Sequence, residues 1–173
     1  IHQLCDVTAK NGNLLLNVGP NADGSFHPDA VSILHEIGDW LRVNGEAIYH
    51  TRPFLTAAEG PTTISDDNYD IDKINQQVED GLASDIEHHT FTSEDFRFTQ
   101  NGSAVYAITF GWPKNRKLYI KTLKKCNSVK TVSQVQLLGT NFSLNFTQNA
   151  DSLEVNLPDH PPCDYAYALK IVF

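Results

Sequence analysis

Apolar residues cluster most tightly between Leu14 and Val18, where LLLNV lacks the alternation of a half-exposed strand. A run of this kind suits a parallel strand covered on both faces. Asn11-Gly12 marks a turn before it, and Ile1, Leu4, Cys5 and Thr8 recur upstream at helical spacing. Gly19 to Gly24 reads as a loop, and Pro28 then opens a second helix at a position where its missing N–H costs nothing. That helix carries Val31, Leu34, Gly38 and Leu41 on one stripe and Ile33, Ile37 and Trp40 on the next, with Asn44-Gly45 as its stop. Residues 1–45 thus read helix, strand, helix. Such a unit cannot satisfy the N–H and C=O groups of its own strand, so other strands must flank it.

The pattern changes near residue 50. From Thr51 to Thr90 the chain is polar, with SDDNYDID at 65–72, and reads as a long surface loop or linker with a short strand near Thr62 to Ile64. Short alternating runs follow at 96–99, 104–110, 117–123, 132–138, 142–146, 153–157 and 165–173. Turn residues Asn101-Gly102, Gly111-Trp112-Pro113, Gly139-Thr140-Asn141 and Pro158-Asp159 separate several of them. Seven short strands so spaced predict an antiparallel β-sandwich. No fixed-period repeat and no low-complexity tract interrupts them.

Composition narrows the function classes. The chain has 173 residues, 40% hydrophobic and 20% charged, enough for one core or two small ones. It lacks an apolar run of transmembrane length, so no membrane association is expected. It also contains no Met and no signal peptide, and is therefore read as a C-terminal or processed piece of a longer protein. A net charge of -8 argues against a broad nucleic-acid surface. The one basic cluster, Lys114 to Lys130, alternates with Leu118, Ile120 and Leu123 and reads as a solvated strand face.

Cys126 and Cys163 fall in the second half and are a candidate disulfide pair, whereas Cys5 sits on the apolar face of the first helix as a small hydrophobe. Asn101, Asn141 and Asn145 begin glycosylation sequons. Asp66, Asn68 and Asp70 start with calcium-loop spacing, but Ile71 stands where Gly is required and Gln77 where a bidentate Glu belongs. His88 and His89 are adjacent, point to opposite sides of an extended chain and read as exposed loop residues. No metal site and no cofactor is expected.

The run KNGNLLLNVGPNADGSFHPDAVSILHEIGDWLRVNGEAIYHTRPF, Lys10 to Phe54, closely resembles the end of the catalytic barrel in the α-L-fucosidases of glycoside hydrolase family 29. FTSEDFRFTQNGSAVYAITFGWP and PPCDYAYALKI resemble that family's C-terminal β-sandwich. The resemblance implies an α/β barrel fragment, the last helix-strand-helix, in residues 1–50. A linker at 51–90 and an antiparallel β-sandwich at 91–173 complete a mostly β chain. It further implies a retaining exo-acting enzyme that removes terminal α-L-fucose from glycans, in a secreted, periplasmic or lysosomal compartment.

Retention needs a nucleophile and a general acid/base about 5 Å apart, with the acid's pKa raised. The family's positions for both lie upstream of Ile1, so no catalytic residue is assigned here and the chain alone is expected to be inactive. The remaining partners are then the N-terminal barrel portion of the same protein and, through the intact enzyme, a fucosylated glycan; a homo-oligomer is left open.

Active-site groups in a parallel barrel project from the C-terminal strand ends, which nominates Asn17, Gly19 and Pro20 as substrate-adjacent. Asn17 ends an apolar strand and must find a hydrogen-bond partner, at or behind the sugar site or as an anchor for the loop. Two other classes compete. The sandwich could be a carbohydrate-binding or structural module, with Trp112, Tyr119, Tyr165 and Tyr167 available as ring platforms, although core packing is their ordinary fate. An interaction protein unrelated to catalysis would instead pair Leu14 to Val18 within this chain.

Overall fold

The computed structural model describes residues 1–62 and 90–173. The calcium-like spacing at 66–77, the His88-His89 pair, most of the expected linker and residues 63–64 of the short strand lie outside the described residues.

Two helices lead the chain, α1 (His2–Ala9) and α2 (Pro28–Asn44). Pro28 stands in the first turn of α2, and the His27 Nδ1 accepts the Asp29 N–H at 3.3 Å, capping one of the free donors there. At the other end a 3-10 turn, Gly45–Ala47, follows directly.

Among the described residues, eight strands make two antiparallel sheets: β1 (Arg52–Glu59), β2 (Phe96–Asn101), β3 (Ala104–Thr109), β4 (Lys117–Ile120), β5 (Gln134–Leu137), β6 (Phe146–Gln148), β7 (Leu153–Asn156) and β8 (Tyr167–Val172). The larger sheet runs β1-β2-β3-β8-β5 and the smaller β4-β7-β6. The expected antiparallel sandwich is present.

Register explains where the core sits. Phe98 pairs with Ala107, Ala107 with Leu169 and Leu169 with Leu137, so one row across four strands faces the small sheet. Leu118 and Ile120 of β4 and Leu153 and Val155 of β7 meet that row and close the sandwich core. Their neighbours Lys117 and Tyr119 point to solvent, which gives the two-residue alternation seen in the sequence.

β3 is buried at all six positions because its other face is also covered. There Ala104, Tyr106 and Ile108, with Ala168 of β8 and Ala166 just before it, form a second cluster with Cys5 of α1 and Trp40 of α2. The helices therefore lie on the outside of the five-stranded sheet.

Several sequence expectations change. Residues 52–59 are a strand instead of surface loop: β1 pairs with β2, and a register irregularity between Pro53 and Ala58 lets an edge strand accommodate proline. Residues 142–145 are not a strand. Leu144 N–H donates to Val135 O and Ser143 bridges Gln136, so this stretch leaves β5 before joining β7 as β6 at Phe146.

Leu14 to Val18 forms no strand, and among the described residues it has no sheet partner. Leu15 is 85% exposed and Leu16 51%. The three cysteines are free thiols, so Cys126 and Cys163 are not bridged. Cys126 is exposed at a narrow turn with Val129, while the Cys163 thiol donates to Ala166 O and accepts from Asn44 Nδ2. Cys5 is fully buried as expected, and burial pushes its thiol up to about 12.

Candidate functional site

The segment after Leu16 folds into a compact loop. Pro20 bridges Phe26, Asn21 N–H donates to Ser25 O at 2.7 Å, and Gly24 takes a positive φ of 84° to turn the chain. Asp23 Oδ1 accepts from both the Ser25 hydroxyl at 2.7 Å and its N–H at 3.0 Å, and these bonds hold Asp23 below the ordinary carboxylate range.

Leu16, Asn17, Val18 and Gly19 face Ala30, Ile33 and Leu34 of α2 across a shallow, mostly apolar groove of about 240 Å³. The sequence-nominated Asn17 and Gly19 thus come together, with Pro20 adjoining. All three are exposed, and Asn17 lies on the wall of the groove.

The same side of the molecule carries an unpartnered apolar surface. Leu14, Leu15, Leu16, Phe26, Val31, Ile33 and Leu34 are all more than a third exposed. The N-terminal half of α2 is bare, whereas its C-terminal half is seated on the sandwich. Contiguous apolar exposure on this scale marks an interaction surface.

The seat itself is polar and buried, and sequence reasoning missed it. Trp40 Nε1 donates to Ala166 O at 2.8 Å, and Asn44 Oδ1 accepts the Ala168 N–H at 3.2 Å. Asn44 is thus more than a helix stop, since it joins α2 to β8. The Tyr165 hydroxyl donates to Glu36, and the Tyr165 carbonyl, on a backbone with φ 71°, accepts from His2 Nε2 at 2.9 Å. Glu46 accepts from Tyr106 and Lys170; the Lys170 bond, working against burial and aided by Tyr106, holds it below the usual carboxylate range.

On α1, Asp6 pairs with Arg97 of β2, whose side chain is 2% exposed and whose guanidinium lies over the rings of Phe91 and Phe110. Lys10 reaches the other oxygen of Asp6 at 2.9 Å. Asp95 is buried, which pushes its carboxyl up, but N–H and hydroxyl bonds from Thr92 and Thr62 outweigh burial and bring it below its ordinary value. A Cβ on Gly60, at φ 134°, would stand 2.5 Å from Asp95 Oδ1, so only glycine fits beside this carboxylate.

Among the described residues, the carboxylates displaced from their usual range, Asp23, Glu46 and Asp95, are all displaced downward. A general acid needs the opposite shift. Asp6 and Glu36 are engaged by Arg97 and Tyr165, so each of these acids already has a structural task. The glycosylation sequons at Asn101, Asn141 and Asn145 are exposed.

The antiparallel sandwich thus carries a two-helix segment whose apolar stretch, Leu14 to Leu16, and groove are bare. Residues 1–46 match the family model for alpha-L-fucosidase and residues 89–172 that for the alpha-L-fucosidase C-terminal domain. The chain belongs to the α-L-fucosidase family.

It is 28% identical to human tissue alpha-L-fucosidase over 99% of its own length and 30% of that protein's. Against the alpha-L-fucosidase of Branchiostoma floridae the identity is 28%, over 97% of this chain and 31% of the relative. Among solved structures, a Thermotoga maritima alpha-fucosidase in complex with fucose superposes with a TM-score of 0.69 at 26% identity, over 99% of this chain and 33% of that one. Isoenzyme 1 from Paenibacillus thiaminolyticus gives 0.66 at 25%, over 98% and 32%. The chain spans about a third of the length of these relatives.

Proposed function

We propose that this chain is the C-terminal portion of a retaining exo-α-L-fucosidase acting on terminal α-L-fucose of glycans in a secreted, periplasmic or lysosomal setting. Residues 1–50 complete a catalytic (β/α) barrel, and the sandwich is a structural domain that buttresses it. The observation that carries this reading is the unpartnered surface formed by Leu14 to Leu16, Phe26, Val31, Ile33 and Leu34. Parallel strands either side of Leu14 to Val18 and a neighbouring barrel helix would cover it, which is what a segment cut from a barrel requires.

The nucleophile and the acid/base come from the part of the barrel outside this chain. That assignment is supported by the depressed or engaged carboxylates described above. Asn17, Gly19 and Pro20 then sit at the rim of the fucose site, where Asn17 supplies an amide to a sugar hydroxyl or to a catalytic carboxylate. The buttress reading of the sandwich is favoured by the buried bonds that seat α2 on it, Trp40 to Ala166 and Ala168 to Asn44; of the four candidate rings, Trp112 and Tyr167 pack edge to face at 4.8 Å, while Tyr119 and Tyr165 are exposed.

The test is hydrolysis of an aryl α-L-fucoside by the intact protein, with the anomer of the first-formed fucose read by proton NMR. Net retention is expected, together with no turnover by residues 1–173 alone. Inversion, or hydrolysis by this chain by itself, overturns the reading.

A further inference from the structure

Seven of the chain's thirteen Lys and Arg fall between Lys114 and Lys130, a stretch with no Asp or Glu, leaving six cations against all 21 acids elsewhere. The fold treats the two groups differently. Of the five described cations outside the stretch, Lys10, Arg42, Arg97 and Lys170 each meet a carboxylate, and Arg52 donates to the Thr51 carbonyl. Within it, among the described residues, only Arg116 does, through Asp159. Lys114, Lys117, Lys121, Lys124, Lys125 and Lys130 are exposed, and among the described residues none has a carboxylate within ion-pair distance.

Local structure brings most of these lysines to one place. Lys117 and Tyr119 share the outer face of β4, with Tyr119 45% exposed. β4 runs directly into the 3-10 turn Lys121–Leu123. Gln148 of β6 then pins the following loop: its amide donates to Leu123 O at 3.0 Å and Lys130 O at 3.3 Å, and its carbonyl accepts the Val132 N–H at 3.0 Å. Lys125 N–H adds a bond to Asn149 O at 2.7 Å. Lys121, Lys124, Lys125 and Lys130 are therefore held at one end of the small sheet, next to the strand that carries Tyr119.

Among the described residues, acids border this face too, Asp151 standing in the turn to which Lys125 bonds. Glu59 spends its two oxygens on the Lys121 and Thr122 N–H groups at 2.7 and 2.6 Å. Glu154 lies across from Tyr119 and accepts from Asn149 Nδ2 at 2.9 Å.

We propose that this face binds a sulfated glycan, with Tyr119 stacking on a sugar ring and Lys117, Lys121, Lys124 and Lys125 pairing with its sulfate groups. Clustered charge with no internal counter-charge raises the local potential and draws a ligand of opposite sign. An exposed phenol ring among those charges adds an apolar face and a hydroxyl, which suit a pyranose. A nucleic acid fits less well, because a continuous phosphate backbone would run from this patch onto a strongly acidic remainder. The binding is separate from fucose cleavage, so it stands or falls independently of the barrel's activity.

The experiment is titration calorimetry of the 173-residue chain at about 50 mM salt, where screening is weak. The probes are a heparin-derived octasaccharide, the same octasaccharide desulfated, and a single-stranded DNA oligomer of equal charge. Expected are binding of the sulfated probe alone, loss of about tenfold or more in K117E/K121E/K124E, a several-fold loss in Y119A, and no change in R42E on α2. Circular dichroism melts of each variant confirm folding. Absence of binding to the sulfated probe, equal affinity for the desulfated probe or the DNA, an equal loss in R42E, or an unchanged Y119A would each overturn the proposal.

Discussion

Trp40 and Ala166 lie 126 residues apart in the chain, yet the indole Nε1 of one donates to the carbonyl of the other at 2.8 Å with both groups buried. This bond anchors the C-terminal half of α2 on the sandwich, beside Asn44 and Ala168. It makes the N-terminal segment and the β-domain one packed unit despite their different architecture.

Trp40→Phe keeps most of the ring volume but removes the donor. Among the described residues, Ala166 O then retains only the long contact from the Cys163 thiol at 3.5 Å. The expected loss is about 1–2 kcal/mol in urea unfolding, the cost of a buried acceptor left under-satisfied. Trp40→Ala should cost about 3–5 kcal/mol because it also opens a cavity. If Trp40→Phe melts like the parent chain, the bond does not anchor the helix.

Asp6 and Arg97 form the other anchor, between α1 and β2, and Arg97 is almost wholly buried. Asp6→Asn leaves that guanidinium without its anion, at an expected cost of about 3 kcal/mol or more. Asp6→Leu with Arg97→Met should be milder than the two single changes added together, since it leaves no unpaired charge. A double-mutant cycle by denaturant unfolding measures the coupling, and additive losses would show that the pair is not interacting.

Much of this architecture was legible beforehand, and the parts that were not share a cause. Pro28 and the stripes of α2 mark a helix, and Leu118/Ile120 and Leu153/Val155 mark half-buried strands, because each pattern has the period of its local element; of the α2 stripes only Trp40 is fully buried in this chain, while Val31, Ile33 and Leu34 are exposed. β1 escaped notice since Pro53 and the irregular pairing near Ala58 break any alternation. The 142–145 stretch looked like a strand because Leu144 is buried, but it is buried while leaving one sheet for the other.

Asp6 with Arg97, Trp40 with Ala166 and Asn44 with Ala168 are long-range pairs, fixed by register and packing that no single window contains. At the candidate site, Asn17 and Gly19 could be nominated from the end of an apolar run. Their opposite wall, Ala30, Ile33 and Leu34, follows only from the way the loop turns at Gly24.

His2 gives the chain a pH response. Its ring stacks on Phe110 at 4.3 Å, and burial lowers its pKa below 6.5, opposed by the bond to the Tyr165 carbonyl and aided by the N-terminal ammonium and Arg97. The folded state therefore binds a proton more weakly than the unfolded chain. Its contribution is complete above about pH 6.5 and falls as pH drops from there to the lower folded value. Glu46 and Asp95, both depressed, lose theirs only further down, below their ordinary 4.5 and 3.8. His2→Phe keeps the stack and should flatten the stability profile just below about pH 6.5 in urea titrations; an unchanged slope there would exclude His2 as the titrating group.

Asn17 separates a role at the sugar site from a role in folding. It is exposed on the groove wall, so Asn17→Ala should move the unfolding free energy of this chain by less than about 0.5 kcal/mol. In the intact enzyme the same change is expected to lower kcat on an aryl α-L-fucoside by about tenfold or more, with a smaller effect on KM, as for a group whose bond tightens in the transition state. Unchanged kinetics would reduce Asn17 to a loop anchor.

Leu15 and Ile33 test whether the bare surface is a cut face of a larger barrel. At 85% and 55% exposure neither supports this chain's own core, so Leu15→Lys with Ile33→Lys should leave its melting temperature nearly unchanged while reducing dye binding and self-association. In the intact protein the same two positions would lie in a strand and a helix packed against neighbours, where two unpaired ammonium groups cost several kcal/mol. The paired measurement is therefore a thermal melt of the 173-residue chain and of the intact enzyme carrying identical substitutions. A large loss in the second with none in the first is expected. Equal tolerance in both would mean that this face stays open to solvent and that strands from elsewhere never cover Leu14 to Val18.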